Sequence, residues 1–585
     1  MTGHYRQRAA DEIRTEHPAV TTTPIMRKLV SDSREMLHRG PPDARARASA
    51  ARQHAIDHLD ELHQSVRLNF ERRNIGYHLA LTPEGAVATM LRLLGDAKRV
   101  AKSKSMVGEE VGLTQAMRAA GIDVLETDIG EYIVDIEGRG PSHITAPALH
   151  LNRTRIQEML ARTGADLPDD DPTRLSQYVR DVVGDYFRDC DAGITGANIV
   201  VASSGRIISV ENEGNVSLGL SHPSLHIIIT GYEKLVADEA GALAILEVLA
   251  PSATAQPLTS FTNIMAEPAP GQQRHVVFVD HGRRELLKDE RYREVLKCIR
   301  CGACMNACPV YRAAGGLSYG SPYMGPIGAV LSPLLWPDGR YADLPFASSL
   351  CGHCTEVCPV GIPLHRMLLD LRADAVANGA AGSRKEHLGW RMWVSAFRGP
   401  RRGRAAAKLG NLGLRAASKV TLPDIASDDP RSLPPGSARH TAEMLQAAAP
   451  AAAATIVAID DILPEDIVAL FRVRSGQLGV RVVEACDPLP GDRRLQATAA
   501  VANTGSLLLT GDEATARRPL LAASRVVIEV DPATIVRYPS DLADRLGDGN
   551  ALILTGASRT ADIEKIIVRG IHGAEEYVVV LAPLA

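Results

Sequence analysis

Seven of the nine cysteines of this chain lie between residues 298 and 358, in two runs that each end in Cys-Pro. The first run places Cys298, Cys301, Cys304 and Cys308 at the spacing C-x2-C-x2-C-x3-C-P. This spacing is typical of bacterial ferredoxins that hold two iron-sulfur clusters, in which three thiolates of a run bind one cluster and the fourth binds the other. The cysteines therefore predict single-electron transfer.

The second run repeats this spacing with a serine in the first position. It consists of Ser348, Cys351, Cys354 and Cys358. If the fourth cysteine of each run crosses to the other cluster, the seven thiolates form two sets. Cluster 1 takes Cys298, Cys301, Cys304 and Cys358, and cluster 2 takes Cys308, Cys351 and Cys354. We expect two [4Fe-4S] clusters, the second with one corner that no cysteine fills.

Several groups are candidates for that open corner. The Ser348 oxygen, His353, water, or a group from a substrate or partner could fill it, and a [3Fe-4S] cluster is the further alternative. Thiolates also bind zinc, but a zinc ion needs four ligands and has no use for seven with paired Cys-Pro endings. The pattern favours iron-sulfur clusters over zinc.

The elements that must position these cysteines follow from length and pattern. A chain of 585 residues with 45% hydrophobic and 23% charged residues is expected to build several globular domains. One long amphipathic helix is predicted over 43–72. The predicted divisions are an N-terminal helical region (1–75), an α/β domain (76–280), a helical cluster-binding module (281–420), a linker (421–454) and a second α/β domain (455–585).

The two α/β segments share an internal repeat. In the first, β-rich runs alternate with helical segments, which predicts a mainly parallel sheet. At a constant offset of 300, residues 200–208 (VVASSGRII) correspond to 500–508 (AVANTGSLL), and 224–229 (SLHIII) to 524–529 (SRVVIE). Two copies of one strand-turn-strand design are predicted, with chance similarity of two β-rich stretches as the alternative.

Charge and hydropathy limit the partners and the cellular location that we expect. The net charge of −4 gives no reason to expect nucleic acid as a partner. The first thirty residues lack the apolar centre of a secretory signal, and no run of about 18 apolar residues occurs, so we expect a cytoplasmic protein. Residues 384–419 hold ten Lys or Arg and one acid. This region could contact an electron acceptor or the inner face of the membrane, or pack against the acidic remainder of the chain.

Three further segments carry polar groups of possible function. Lys102 and Lys104, with Ser103 and Ser105, could bind the carboxylate of a small acid, or form a solvated strand end. Residues 212–215 (NEGN) could aim a nucleophilic glutamate into a cleft, or form a turn held by its own side chains. Residues 555–562 are expected to open a helix with anion donors, or with simple capping groups.

Taken together, these motifs resemble the lactate utilization protein B family over about residues 45–415. The resemblance rests on residues 102–113 (KSKSMVGEEVGL), 127–134, 141–150, 194–205, 212–215, 298–312, 325–335 and 351–365. Residues 501–511 and 555–573 resemble the companion protein C family. The resemblance implies an α/β plus α-helical fold, in which two lactate-utilization domains of the sugar-phosphate isomerase and coenzyme A transferase type flank a helical, ferredoxin-like module with two [4Fe-4S] clusters.

The same resemblance implies a function. The chain would be an iron-sulfur electron-transfer subunit in the oxidation of L-lactate to pyruvate. Such a subunit would be non-catalytic or co-catalytic and would work with a cysteine-rich subunit like protein A. The alternatives are electron transfer for another 2-hydroxy acid such as glycolate, and a redox-sensing or ligand-sensing role. The sequence contains no Rossmann fingerprint, P-loop, HExxH or flavin motif. The motifs thus leave the two-electron step of such an oxidation unassigned.

Overall fold

The computed structural model describes most of the chain up to residue 378 and parts of the remainder. The described residues are 5–221, 223–378, 388, 389, 391, 392, 394, 395, 467–484, 486, 493–511, 523, 525–557, 559, 560, 563, 568, 569, 574 and 576–582. One compact unit combines residues 1–371 with 465–585, and a second spans 372–464. The predicted linker and most of the basic region 384–419 lie outside the described residues.

Five helices precede the first strand. They are α1 (Tyr5–Glu16), α2 (Pro18–Thr21), α3 (Thr23–Arg39), α4 (Ala44–Asp57) and α5 (Leu59–Arg72). The single helix predicted over 43–72 is wrong in one respect, because it breaks at His58 into α4 and α5. The two halves bury their apolar faces in different cores: Ala48 and Ile56 of α4 join the helical core, whereas Val66 and Phe70 of α5 pack beneath a sheet.

The first α/β segment forms a sheet of six parallel strands, as its alternating pattern predicts. The strands are β1 (Ile75–Ala80), β2 (Arg99–Lys102), β3 (Asp123–Glu126), β4 (Ala192–Gly196), β7 (Leu225–Gly231) and β10 (Gln273–Val279), in the order β1-β10-β7-β4-β2-β3. The helices of this segment are α6 (Pro83–Leu94), α7 (Met106–Val111), α8 (Leu113–Ala119), α9 (Ile129–Glu137), α10 (Arg153–Ala161), α11 (Pro172–Asp189), α12 (Asn215–Ser221) and α13 (Glu239–Thr254). Since all six strands run the same way, their carboxyl ends meet at one edge.

A second sheet of eight strands joins the two repeats. The first repeat supplies β5 (Ile199–Val201), β6 (Ile207–Glu211), β8 (Leu235–Val236) and β9 (Phe261–Met265), and the second supplies β13 (Ala499–Val501), β14 (Ser506–Thr510), β16 (Ile535–Val536) and β17 (Ala551–Leu554). Their order is β16-β13-β14-β17-β9-β6-β5-β8, with β9 and β17 antiparallel at the junction. The repeats are therefore neighbours in the sheet, although the cysteines separate them in sequence.

The offset of 300 is visible in the backbone of this sheet. Gly205 and Gly505 each donate a hydrogen bond to the carbonyl four residues earlier at 2.9 Å, with φ of +69° and +67°. Glycine suits this turn because side chains rarely adopt a positive φ. The strand before each turn, β5 or β13, pairs antiparallel with the strand after it, β6 or β14. The same strand pairs parallel with β8 in the first repeat and with β16 in the second. The repeat predicted from sequence is thus a repeat of structure.

The second repeat also has its own parallel sheet. It contains β11 (Arg481–Val483), β12 (Arg493–Gln496), β15 (Arg525–Val530) and β20 (Glu576–Leu581) in the order β11-β20-β15-β12. This order matches β1-β10-β7-β4 of the first repeat. Within the described residues nothing corresponds to β2 and β3, so the segment after β2 has no counterpart there. Two further elements are α20 (Ile467–Gln477) and the short pair β18 (Arg559–Thr560) with β19 (Val568–Arg569).

The cysteines lie in a helical region that follows β10. Its helices are α14 (Arg283–Leu286), α15 (Ala303–Ala307), α16 (Pro309–Ala314), α17 (Gly325–Leu335), α18 (His353–Glu356) and α19 (Leu364–Ala377). From 281 to 378, a stretch described throughout, the chain contains no strand. No helix in the part of the chain that the structure describes combines the length and hydropathy needed to cross a bilayer.

Candidate functional site

The two cysteine runs fold into loops of the same local design. Gly302 and Gly352, with φ of +78° and +82°, turn the chain into the short helices α15 and α18. Each helix carries the third position of its run, and the fourth position follows it. Glycine suits both turns because the left-handed conformation is strained for other residues, although Arg300 and Leu350 of the same loops also have a positive φ.

Four of the thiols border one cavity in the helical region. They belong to Cys298, Cys301, Cys304 and Cys358. The other lining groups are aliphatic side chains such as Ile299, Ile327 and Ile362, loop backbone, and Arg300. A set of four thiols in aliphatic surroundings fits a [4Fe-4S] cubane.

The electrostatic neighbours of these thiols agree with that grouping. Burial raises the pKa of Cys301, and the charges of Cys358 and Cys298 act in the same direction. Burial likewise raises the pKa of Cys304, with Cys298, Cys301, Cys354 and Cys358 adding to it. Burial of this kind disfavours the thiolate when no positive charge is near, and a bound metal ion would supply that charge.

The remaining three thiols form a second group. Burial raises the pKa of Cys354 to about 11, and Cys308 and Cys351 add to the rise. Burial raises the pKa of Cys308 too, and Cys351 again adds to it. Cys308 and Cys354 are buried and Cys351 is exposed, so this group reaches the surface. Ser348 is half-buried, and its hydroxyl accepts a hydrogen bond from the Leu350 amide at 3.1 Å.

Backbone amides point at the sulfurs of both groups. The amides of Arg300, Tyr311 and Ile362 donate to the sulfurs of Cys298, Cys308 and Cys358 at 3.4, 3.5 and 3.4 Å, respectively. Hydrogen bonds of this kind stabilise the more negative, reduced form of a cluster and tune its potential.

A buried network of charges ties the first cysteine loop to the α/β segment. Arg300 donates to Glu233 at 3.1 Å, Arg283 lies 2.7 Å from the same carboxylate, and Arg283 also pairs with Glu110 at 2.6 Å. Although burial acts to raise it, Arg283 and Arg300 lower the pKa of Glu233 to about 2. No local sequence pattern signals this network, because its partners lie far apart in the chain.

Lys234 lies beside the same loop. Its buried ammonium donates to the Cys298 carbonyl at 3.3 Å. Burial, aided by the positive charge of Arg300, lowers the pKa of Lys234 to about 7. Arg52 and Arg300 also interact with Cys298, and their positive charge there favours the thiolate.

A large cavity of about 890 Å³ opens at the carboxyl edge of the six-stranded sheet. Residues that follow β2, β4 and β7 line it, which is where α/β sheets usually bind ligands. The sequence-predicted residues that it brings together are Ser103, Lys104, Ser105, Asn212, Glu213, Asn215 and Arg559. Arg300 and Ile144 line both this cavity and the cavity of the four thiols, so the two are adjacent.

Lys102, by contrast, does not bind a ligand there. It is completely buried, and its ammonium lies 2.7 Å from Glu126 and 3.5 Å from Glu109. Thr114 also donates to Glu126 at 2.8 Å. The expectation that Lys102 binds an acid, and the alternative of a solvated strand end, are both wrong for this residue, because its side chain points into the core. Lys104 is half-buried at the cavity wall.

The side chains of the segment 212–215 accept hydrogen bonds from other segments. Asn212 accepts a hydrogen bond from the Ser260 amide at 2.9 Å, Glu213 accepts one from the Ile129 amide at 3.2 Å, and Gly214 has φ of +97°. These bonds come from distant segments and not from within the turn, and Glu213 lines the cavity, so its role as a nucleophile stays a prediction. Farther along, Arg559 and Thr560 form β18 instead of the predicted helix start, and Ser558 and Asp562 lie outside the described residues.

Comparison with known proteins identifies the class. Residues 64–286 and 495–582 match the LUD domain family, and residues 294–362 match the 4Fe-4S dicluster domain family. The chain is therefore a LUD domain protein with a region of the iron-sulfur dicluster type.

Curated relatives define the family more closely. "Lactate utilization protein B" of Bacillus thuringiensis (strain Al Hakam) and of Bacillus anthracis (strain A0248) are each 40% identical to the chain over 379 residues, covering 64% of this chain and 78% of theirs. The chain belongs to the lactate utilization protein B family, which confirms the resemblance seen in its motifs. A solved DUF162 family protein from Deinococcus radiodurans is 16% identical, with a TM-score of 0.21, covering 38% of this chain and 98% of that one.

Proposed function

We propose that the chain holds two iron-sulfur clusters in the arrangement that the crossing rule predicts. Cys298, Cys301, Cys304 and Cys358 bind a [4Fe-4S] cluster, and Cys308, Cys351 and Cys354 bind the second. The cavity bordered by four thiols supports the first set, and the mutual influence of the other three supports the second. The fourth ligand of the second cluster stays open between Ser348, His353, water and a partner group, with [3Fe-4S] as the alternative cluster type.

We further propose that these clusters make the chain an electron-transfer subunit in lactate utilization, in a system that oxidises L-lactate to pyruvate. The observation that carries this proposal is the shared wall of the two cavities, formed by Arg300 and Ile144. A molecule in the large cavity lies next to the four-thiol cavity, within a short path for an electron. When bound, the cluster accepts and donates single electrons.

The chain's own residues support this role by electrostatics. Arg300 and Arg52 place buried positive charge around Cys298, which stabilises the additional electron of a reduced cluster. The amides of Arg300 and Ile362 act in the same sense on Cys298 and Cys358. The aliphatic lining excludes water and strengthens both effects.

The proposed partner is a cysteine-rich subunit like protein A. We propose a cytoplasmic protein whose basic region, residues 384–419, contacts an electron acceptor or the inner face of the membrane. Another 2-hydroxy acid such as glycolate is the alternative substrate. A redox-sensing or ligand-sensing protein is the alternative from another class. Measuring substrate turnover distinguishes the electron-transfer subunit from the sensor, because a sensor need not oxidise a substrate.

The test uses the full chain purified without oxygen and mixed with the cysteine-rich subunit. We expect about seven to eight irons with acid-labile sulfide, and reduction of the clusters when L-lactate is added to the mixture. Stoichiometric zinc without sulfide would exclude the clusters. A mixture inert to L-lactate but active on glycolate would change the substrate, and clusters that no hydroxy acid reduces would favour the sensor.

A further inference from the structure

The large cavity is too large for a hydroxy acid alone. Its volume of about 890 Å³ lies within the roughly 300–1,000 Å³ of pockets that enclose ligands of drug size. A three-carbon acid fills only a small part of such a space. The size therefore indicates a larger organic ligand.

Apolar side chains form part of the cavity wall, although α3 also contributes the charged residues Lys28, Asp32, Glu35 and Arg39. Leu29 and Met36 of α3 and Leu249 and Ala253 of α13 contribute to it. Aliphatic and thioether side chains of this kind pack against flat ring systems, because the contact removes apolar surface from water. The ligand is thus expected to carry an apolar or aromatic part.

The remaining wall offers hydrogen-bond donors without a partner. The hydroxyl of Ser103, only 3% exposed, and the amide nitrogen of Asn306, only 2% exposed, have no hydrogen-bond partner among the described residues. Leaving buried donors unsatisfied is costly unless a ligand accepts from them. Both residues line the cavity.

Lys104 adds a positive charge to this donor set. Its half-buried side chain lines the cavity, and its positive charge opposes the rise in pKa that burial causes at Glu131. An anionic group such as a phosphate is the natural partner for a lysine beside a serine at the carboxyl end of a strand.

We propose that this cavity is a binding site for a flavin mononucleotide, with the ring system against the α3 and α13 wall and the phosphate at Lys104 and Ser103. The place of the cavity argues for a redox-active ligand, since Arg300 and Ile144 also line the four-thiol cavity. Flavins exchange electrons in pairs or singly, which is what single-electron clusters require beside a two-electron substrate. The site carries no sequence motif because its residues come from separate segments.

The experiment titrates flavin mononucleotide into the full chain, purified without oxygen, and follows quenching of flavin fluorescence. We expect saturable binding of one flavin per chain. Lys104→Gln should weaken binding about ten- to hundredfold, and Ser103→Ala about three- to tenfold. Lys288→Gln, which alters an exposed lysine paired with Glu285, is the matched control and should leave binding unchanged.

Ser103→Ala keeps the test decisive if Lys104→Gln impairs folding, because it removes only a buried hydroxyl that has no partner among the described residues. Parallel titrations with adenosine monophosphate and L-lactate are followed by isothermal titration calorimetry, because neither molecule carries the flavin fluorophore. Three results would each overturn the proposal. They are the absence of flavin binding, flavin binding that neither cavity variant weakens, and Lys104-dependent binding of only adenosine monophosphate or only L-lactate. Iron content, measured on the same samples, distinguishes this outcome from failure of the cluster assignment.

Discussion

Arg300 and Glu233 join the first cysteine loop to the α/β segment through a hydrogen bond of 3.1 Å, and only 9% and 1% of their side-chain surfaces are exposed. Glu233 follows β7 directly and also faces Arg283 at 2.7 Å. Glu233 thus pairs with both guanidinium groups, and Glu110 supplies a second carboxylate to Arg283. The loop that carries Cys298 and Cys301 is thereby fixed against the sheet whose edge forms the large cavity.

Replacement of Glu233 by glutamine is expected to destabilise the protein strongly. The variant keeps the shape of the side chain but leaves Arg283 and Arg300 with less negative charge, and breaking a buried pair of this kind costs about 3–5 kcal/mol. Chemical denaturation of the full chain measures the loss. Glu61→Gln, which alters an exposed carboxylate paired with His58, is the control and should cost less than about 1 kcal/mol. Equal losses in the two variants would contradict the network.

Single cysteine variants should separate the two clusters. Cys304→Ala is expected to remove the cluster of the four-thiol cavity and leave about half of the iron, whereas Cys308→Ala should affect the second cluster. Cys190→Ala is the matched control, because Cys190 is also buried but belongs to a different core. Iron analysis and electron paramagnetic resonance of the reduced protein provide the measurements. Identical spectra for Cys304→Ala and Cys308→Ala would show that the assignment of ligands is wrong.

The cysteine spacing and the repeat were readable from the sequence because both are local patterns. Two thiolates three residues apart reach one cluster whatever surrounds them, and the turn at Gly205 needs the same backbone geometry as the turn at Gly505. The alternation of β-rich runs with helical segments likewise predicted the parallel sheet. Such features depend on a few neighbouring residues, so tertiary packing does not change them.

Other features depend on partners far along the chain, and the sequence could not supply them. Lys102 is polar in a polar segment, yet packing places it beside Glu126 in the core. The break at His58 arises because α4 and α5 pack on different cores, which periodicity alone does not reveal. The large cavity combines residues separated by hundreds of positions, so only the fold brings Lys104 and Asn306 to one wall.

The serine that begins the second cysteine run offers a direct test of the open corner. Ser348→Cys restores the full spacing and should supply the missing thiolate, so the second cluster should lose less iron in air. Iron retention after timed exposure to oxygen measures the effect. Ser349→Cys places the same thiol one position away and serves as the control. An unchanged rate of iron loss in Ser348→Cys would mean that residue 348 does not adjoin the open iron.

The buried Glu131 should make stability depend on pH. Burial raises its pKa from 4.5 to about 8, with Glu126 and Glu109 adding to the rise and Lys104 opposing it. Between these values the folded protein holds a proton that the unfolded chain releases, so stability falls as pH rises from about 5 to 8 and then levels off. Glu131→Gln removes this loss, and its advantage over the parent should grow by about 1 kcal/mol or more across that interval. Denaturation at pH 5, 6.5 and 8 measures it, with the exposed Glu71→Gln as control. An advantage that is the same at all three pH values would refute the shift.

Arg206 should link the stability of the two repeats. Its side chain is 3% exposed, and its guanidinium donates to the carbonyl oxygens of Leu546, Gly547 and Gly549 in the second repeat. Arg206→Ala leaves these carbonyls without their donor and is expected to cost about 2–3 kcal/mol, since hydrogen bonds to charged groups contribute that much. Thermal unfolding of the full chain measures the loss. Arg494→Ala, which alters an exposed arginine paired with Glu529 in the second repeat, should change stability by less than about 1 kcal/mol.

Limited proteolysis supplies the second readout: cleavage in residues 525–557 should accelerate in Arg206→Ala and not in Arg494→Ala. If both variants unfold at the parent temperature and are cleaved at the parent rate, Arg206 does not hold the repeats together.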